Sequence, residues 1–364
     1  MVTVGASRVV TPAGVLDDAE VTVDGGVITG VRAAHGTCPE RVLVPGFVDL
    51  QVNGVDDVDV TNAAGDDWDR LDALLLAQGV TTWCPTLVTA PLPDYVPALA
   101  RIDAAAHRPV GVRPAIAGAH LEGPFLGGAP GAHPEQHLAP VDPAWLAGLT
   151  ELLAVVTLAP ELPHACDAIA LLRARGVLVA LGHSTATVEQ VRAATDAGAR
   201  LVTHLFNGMA PFHHREPGLV GAALADARLA TSLIADLVHV HPVALQVAFA
   251  AKGDGAVLVT DAVAWNRATH AGRQIQLGSD GVPRLADGTL AGSALTMDAA
   301  VRNVVDHAGV AIEKAVAAAS TTPARLLGLA DRGAIEAGRR ADLVALTPSL
   351  EVEAVWVGGN LAPR

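Results

Sequence analysis

Eight short apolar runs separated by stretches of helical character limit this chain's fold more than any other feature. They are Leu43–Val52, Val80–Val88, Ala115–Leu121, Leu153–Leu158, Val177–Leu181, Leu201–His204, Ala230–Ile234 and Ala256–Thr260. Continuous apolar runs suit strands buried on both faces of a parallel sheet. Between and beyond them, Trp68–Gln78, Ala165–Arg175, Val188–Ala197, Pro242–Ala251, Met297–His307 and Ile312–Ser320 read as helices. Strand and helix in alternation make βα units. Eight units in roughly 290 residues suit an α/β chain folded as a (β/α)8 TIM-like barrel better than an open doubly wound sheet. Aromatic residues are only 3% of a chain that is 51% hydrophobic, so alanine, valine and leucine must fill the interior.

The two ends differ from the middle. Glu20–Gly30 alternates polar and apolar residues around Asp24-Gly25-Gly26, a hairpin pattern. Ala341–Leu346 and Val352–Val357 read as further strands on either side of Pro348. Neither end has the apolar mass for a core of its own. The expectation is one small β-sandwich domain built from residues 1–44 and 333–364, with the barrel over 45–332.

In such a barrel, chemistry sits where strands end at the C-terminal face. The run ends carry Gln51 and Asn53, then His120 and Glu122, His183, His204, Asp236 with His239, and Asp261. A lone histidine at a strand end is more often a packed, hydrogen-bonded residue than a ligand. Several histidines and carboxylates converging on one mouth point to a metal instead. Two histidines and one carboxylate are a ligand set for catalytic zinc, with a position left for water. Glu122, His183 and His204 can supply it, with Asp261 as fourth ligand, base or helix cap. His120, two residues before Glu122, is a candidate for orienting a ligand.

Charge narrows the partners. Lysine plus arginine number 24 against 38 acids, a formal net charge of −14. That excess argues against nucleic acid or a polybasic membrane contact. No apolar run approaches the roughly 18 residues of a membrane span, and the first residues lack the pattern of a secretory signal. Cys38, Cys84 and Cys166 are odd in number and far apart, which suits a reducing cytoplasm.

Several motifs together carry a family resemblance. His120-Leu-Glu-Gly-Pro-Phe, Gly182-His-Ser-Thr-Ala-Thr, Thr203-His-Leu-Phe-Asn-Gly-Met, Arg215-Glu-Pro-Gly-Leu, Val259-Thr-Asp-Ala and Gly292-Ser-Ala-Leu-Thr-Met resemble the N-acetylglucosamine-6-phosphate deacetylases of the amidohydrolase superfamily. The opening Val44-Pro-Gly-Phe-Val-Asp and the closing stretch 333–346 are similar to them as well. The resemblance implies that Glu122, His183 and His204 hold a divalent metal, zinc first, with iron, manganese or cobalt as alternatives. It implies Asp261 as catalytic acid and base, with His133 polarising the acetyl oxygen. Ala132, His133, Asn207 and Gly208 would touch a sugar-phosphate substrate, with Leu295, Thr296 and Met297 lining the sugar pocket. Arg215 and His239 would hold the phosphate, with a homodimer partner completing the site.

Two departures from the family pattern stand out. Many amidohydrolases carry His-x-His after the first strand, for a second metal. Gln51 and Asn53 stand there in this chain and are poorer ligands, so one tightly held metal is expected. Leu237 stands where relatives often have glycine, which bears on the placement of His239.

Overall fold

The computed structural model describes residues 1–266, 269–270 and 273–363. Eight parallel strands form the central sheet: β1 (Phe47–Val52), β2 (Val80–Leu87), β3 (Ala119–Glu122), β4 (Leu153–Leu158), β5 (Leu178–Leu181), β6 (Leu201–Val202), β7 (Ala230–Leu233) and β8 (Ala256–Leu258). Each pairs with the next in chain order. Just beyond the ends of β8 and β1, Ala262 pairs with Val52 in a parallel bridge. There Asp261 N–H donates to Gln51 O (3.0 Å) and Asn53 N–H to Ala262 O (2.8 Å). The sheet is therefore a closed (β/α)8 barrel, and its seam lies at the mouth.

The first apolar run serves two sheets. Val42–Pro45 joins the terminal strands and Phe47–Val52 is β1. Gly46 between them has no room for a side chain, since a Cβ there would lie 2.1 Å from Thr81 Oγ1. The third run is also split: Ala115–Ile116 pairs with β2, Gly118 turns at φ +139°, and β3 follows.

Both termini meet in one seven-stranded sheet. Val2–Thr11, Gly14–Asp24 and Val27–Ala33 come from the start of the chain, and Leu343–Leu346, Val352–Val357 and Asn360–Leu361 from its end. Val42–Pro45 lies between the two groups, parallel to the first strand and antiparallel to Leu343–Leu346. Val4, Ala6, Ala19, Val21, Leu343, Ala345 and Trp356 share a core separate from the barrel's.

The helices obey their local signals. Thr187 and Gln190 form a reciprocal capping box that starts Val188–Ala197. Asp142 caps Pro143–Ala147 by accepting from Trp145 N–H.

Candidate active site

Glu122 closes β3 with its side chain in the mouth. Gly182 and His183 follow β5, and Thr203 and His204 follow β6. Glu122, His183 and His204 are at most 6% exposed. His183 Nε2 lies 3.2 Å and His204 Nε2 2.9 Å from Glu122 Oε1, and the two Nε2 atoms are 3.0 Å apart.

The other ring nitrogens fix the tautomers. His183 Nδ1 donates to Ala129 O (3.2 Å) and His204 Nδ1 to Asn207 O (3.1 Å). Both Nε2 atoms therefore present lone pairs, to each other and to a carboxylate. Three acceptors held in van der Waals contact repel unless a cation joins them. Ligands about 2.0–2.1 Å from a tetrahedral metal stand roughly 3.3–3.4 Å apart, so the trio needs to open by only a few tenths of an ångström to take one. Carbonyl acceptors behind ligating imidazoles are the usual support.

His133 also reaches the cluster. The ligand atoms of Glu122, His133 and His183 lie within 4.8 Å of one another, so a second trio is available on distance alone. Its chemistry differs. Thr89 N–H (3.4 Å) and Thr89 Oγ1 (2.8 Å) both face His133 Nδ1. Nδ1 then accepts, and Nε2 keeps its proton, 3.7 Å from Glu122 Oε2. That makes His133 a donor aimed into the site, where a ligand would need a lone pair.

Asp261 follows β8. Its Oδ1 accepts from Gln51 Nε2 (3.0 Å) and Asn53 Nδ2 (2.7 Å). Gln51 Nε2 also donates to Glu122 Oε1 (2.9 Å), and Gln51 Oε1 accepts from Thr203 Oγ1 (2.8 Å). Amide hydrogens thus occupy the space between the two carboxylates, where a second metal would need lone pairs. Burial first, and then the Glu122 charge, pushes Asp261 up to about 7. His183, His204 and Asp261 all have positive φ, at 48°, 24° and 49°. Such strain clusters at functional sites.

These groups open into a cavity of about 290 Å³. Ala132, His133, Asn207, Gly208 and His239 line it. Gly208 has a steric reason to be glycine: its φ is +59°, and a Cβ would stand 2.7 Å from His183 Nδ1. Asp236 Oδ2 accepts from His239 Nδ1 (2.6 Å), and its Oδ1 accepts the backbone N–H of Val238 and His239.

Four expected residues are not brought into the cavity wall. Met297 has no exposed surface and packs in the barrel core, and Leu295 is 8% exposed beside it. Thr296 precedes the helix Met297–Ala308. Arg215 lies exposed on the loop before Gly218–Ala225, with its guanidinium on His214 Nε2 (3.0 Å). His120 points into the barrel interior, engaged by Leu50 O (3.0 Å) and Thr157 Oγ1 (2.8 Å), and burial pushes it down to about 4. It is a neutral packed histidine.

Sequence reasoning missed Thr289, Leu290 and Ala291, which line the cavity beside Gly292. They lie just upstream of the Gly292 motif, and nothing in their residue types marks them.

The amidohydrolase family model matches residues 42–362. An N-acetylgalactosamine-6-phosphate deacetylase of Escherichia coli O157:H7 is 42% identical, covering 98% of this chain and 98% of that relative. The N-acetylglucosamine-6-phosphate deacetylase of Bos taurus is 40% identical, covering 89% of this chain and 84% of the relative. Among solved structures, N-acetyl-D-glucosamine-6-phosphate deacetylase from Mycobacterium smegmatis matches with a TM-score of 0.93 and 33% identity, covering 100% of both chains. A mutant of that enzyme in complex with N-acetyl-D-glucosamine-6-phosphate matches at 0.92 and 33%, covering 99% of this chain and 98% of that one. The chain belongs to the amidohydrolase family. Within it, this enzyme stands among the N-acetylglucosamine-6-phosphate deacetylases.

Proposed function

We propose that the enzyme hydrolyses the acetamide of N-acetylglucosamine 6-phosphate to glucosamine 6-phosphate and acetate, in amino-sugar breakdown. The observation that carries this is the arrangement in one cavity of Glu122, His183 and His204 with Asp261, which two amides pin beside them. Glu122, His183 and His204 hold one divalent ion, with zinc the first candidate and iron, manganese or cobalt open. A divalent ion held there would supply Lewis acidity for the acetyl carbonyl and for a nearby water.

The chain's own groups do the rest. Asp261 lines the cavity, its Oδ1 is taken by Gln51 and Asn53, and its Oδ2 carries no hydrogen bond from the described residues. Oδ2 takes a proton from the attacking water and returns it to the departing nitrogen. His133 Nε2–H supports the charge that develops on the acetyl oxygen, worth about 10²–10³ in rate for one well-placed donor. Ala132, Asn207 and Gly208 position the sugar.

His239 and Arg215 take the phosphate, a group that a chain at −14 must meet with local positive charge. Because Arg215 lies outside the cavity wall of its own chain, this role has it completing the site across a homodimer. The expected setting is the cytoplasm. No helix of the described residues is long and apolar enough to cross a membrane.

The Escherichia coli relative favours a second reading, the 4-epimer N-acetylgalactosamine 6-phosphate. The test is acetate release from both sugar phosphates and from unphosphorylated N-acetylglucosamine, with metal content measured on the same sample. The first reading expects the glucosamine isomer to be the best substrate at about one metal per chain. Absence of acetate from that isomer overturns it, and two tightly bound equivalents overturn the single-ion assignment.

A further inference from the structure

Val88, Thr89 and Ala90 follow β2 with no regular structure of their own, so their backbone polar groups need partners from elsewhere. One side chain supplies two of them. Tyr95, the only tyrosine in the chain, lies on the helix Leu92–Ala106 and is 1% exposed. Its hydroxyl donates to Val88 O (3.1 Å) and accepts from Ala90 N–H (3.2 Å). Those groups belong to the peptide units on either side of Thr89, and one oxygen atom holds both.

A trans peptide sets its C=O and N–H in opposite directions. With Val88 O held on Tyr95, the Thr89 N–H of the same unit is turned the other way, onto His133 Nδ1 (3.4 Å), beside the Thr89 hydroxyl (2.8 Å). The surroundings keep Thr89 in place. It is 1% exposed, and Gly123, next to Glu122, has φ +90° and no space for a side chain, since a Cβ there would lie 2.3 Å from Thr89 Oγ1. Tyr95 is fixed in turn by aromatic packing. Its ring meets Trp145 edge-on, with centroids 5.5 Å apart, and Trp145 meets Phe125 in the same way at 5.8 Å. Burial raises the Tyr95 phenol far above its ordinary value, so the hydroxyl keeps the proton it gives to Val88 O.

Tyr95 and Thr89 are not among the residues of the cavity wall, whereas His133 is. We propose that Tyr95 is a positioning residue for the deacetylation: through Thr89 it keeps His133 in the Nε2–H form, the form that can donate to the acetyl oxygen. The proposal rests on the reading of His133 as that donor. A donor contributes to rate when it is in place before charge develops. Without the Tyr95 hydroxyl, the Val88–Thr89 unit is free to rotate and the Thr89 N–H leaves Nδ1. The Thr89 hydroxyl alone accepts as readily as it donates. His133 then populates both tautomers, and the Nδ1–H form has a lone pair where the donor was.

Tyr95→Phe keeps the ring against Trp145 and removes one oxygen. It is compared with His133→Ala and with the double variant, in metal-loaded enzyme acting on N-acetylglucosamine 6-phosphate. The expected result is a kcat about tenfold below wild type for Tyr95→Phe, with KM and metal content nearly unchanged, and a further loss of less than about twofold when His133 is already absent. A side chain that only supports the helix would cost the same in both backgrounds, and equal losses overturn the proposal. A Tyr95→Phe variant with wild-type kcat, alongside an impaired His133→Ala, overturns the Tyr95 role and leaves the His133 reading standing. His133→Ala at wild-type kcat overturns both. A second measurement needs no substitution at Tyr95. Heteronuclear NMR spectra of histidine-labelled wild-type enzyme, with the His133 signals assigned by their loss in His133→Ala, should show a protonated Nε2 and a bare Nδ1. A proton on Nδ1 in the wild type overturns the proposal, and Tyr95→Phe should move the signals towards a mixture of tautomers.

Discussion

The two ends of the cavity are built on different principles. At the reaction end, Glu122, His183, His204, Gln51, Asn53 and Asp261 all follow or close strands, are at most 8% exposed and are cross-tied by side-chain hydrogen bonds. At the outer end, His239, Asn207 and residues 289–292 ride on loops, and Arg215 stands outside the wall altogether. A rigid sheet rim can hold a few atoms to the tolerance that bond making needs. Holding a phosphate is less demanding, and loops or a second chain can supply it. The difference predicts that mutations at the reaction end act on kcat and those at the outer end on KM.

The largest effect is expected from His183→Ala or Glu122→Gln. Either removes part of the cluster whose lone pairs converge on one point, and activity should fall by ~10³-fold or more with loss of bound metal. Measured metal content and kcat that both stay near wild type would break the comparison at its stronger end.

Asp261→Asn keeps the shape and removes the proposed proton carrier, so kcat should drop by ~10²–10⁴-fold with metal retained. The same residue sets a pH limb. As base it must be ionised, so kcat/KM rises with pH through the Asp261 midpoint and levels above it. Burial and the Glu122 charge put that midpoint at about 7. An ion beside Glu122 offsets the second cause and leaves the first, so in the loaded enzyme the limb falls at or below that value. A profile with no acid limb between pH 4 and 7.5 counts against the assignment.

Arg215→Ala tests the outer end. KM should rise by ~10–100-fold, with kcat changed much less, and unphosphorylated substrate should be indifferent to the change. If KM for the sugar phosphate does not move, the phosphate is held by other groups.

The two ends were also unequally legible in the sequence. Glu122, His183, His204 and Asp261 could be read as candidates because strand ends are fixed by the apolar runs, and those residues close the strands or follow closely. The same local logic placed Val188–Ala197 residue for residue. It missed Leu92–Ala106, where Pro91, Pro93 and Pro97 punctuate the sequence as a loop would, although the first two sit at the helix start. Loops carry no period, so residues 289–291 gave no signal, and Met297 read as pocket lining when the helix turns it into the core. Gln51 and Asn53 were noticed for the histidines they replace. Their hydrogen bonds across the seam depend on barrel closure, which no local pattern encodes.

Asp49 sharpens the account of the cross-tied end. It is fully buried on β1, accepts Thr260 Oγ1 (2.6 Å) and the Thr260 N–H, and so ties β1 to the segment that presents Asp261. Burial pushes its carboxyl up to about 7. An acid whose folded pKa exceeds its unfolded value takes up protons on folding between the two. Asp49 therefore makes stability fall as pH rises from about 4 to about 7, with no further change above. Asp49→Asn removes this titration. The Tm of wild type relative to the variant should be higher at pH 5 than at pH 7.5, by about 1–3 °C for a chain of this size. Parallel Tm profiles would show that Asp49 does not titrate in that window.

The smallest effect concerns the loop that presents His239. Leu237 has φ +68°, the left-handed region that glycine adopts freely and other residues enter at a cost of roughly 1–2 kcal/mol. The conformation survives because Asp236 Oδ1 captures the Val238 and His239 N–H groups and the half-buried Leu237 side chain packs on the barrel core. Replacing leucine by glycine alone would confound strain relief with lost packing, two effects of similar size. Leu237→Ala and Leu237→Gly lose the same packing and differ in backbone freedom. In most settings alanine is the more stable of such a pair, but here glycine should exceed it by about 1 kcal/mol in urea melts. If alanine proves the more stable, the loop relaxes out of the left-handed region once the leucine is gone. The outer end would then be held by side-chain packing alone.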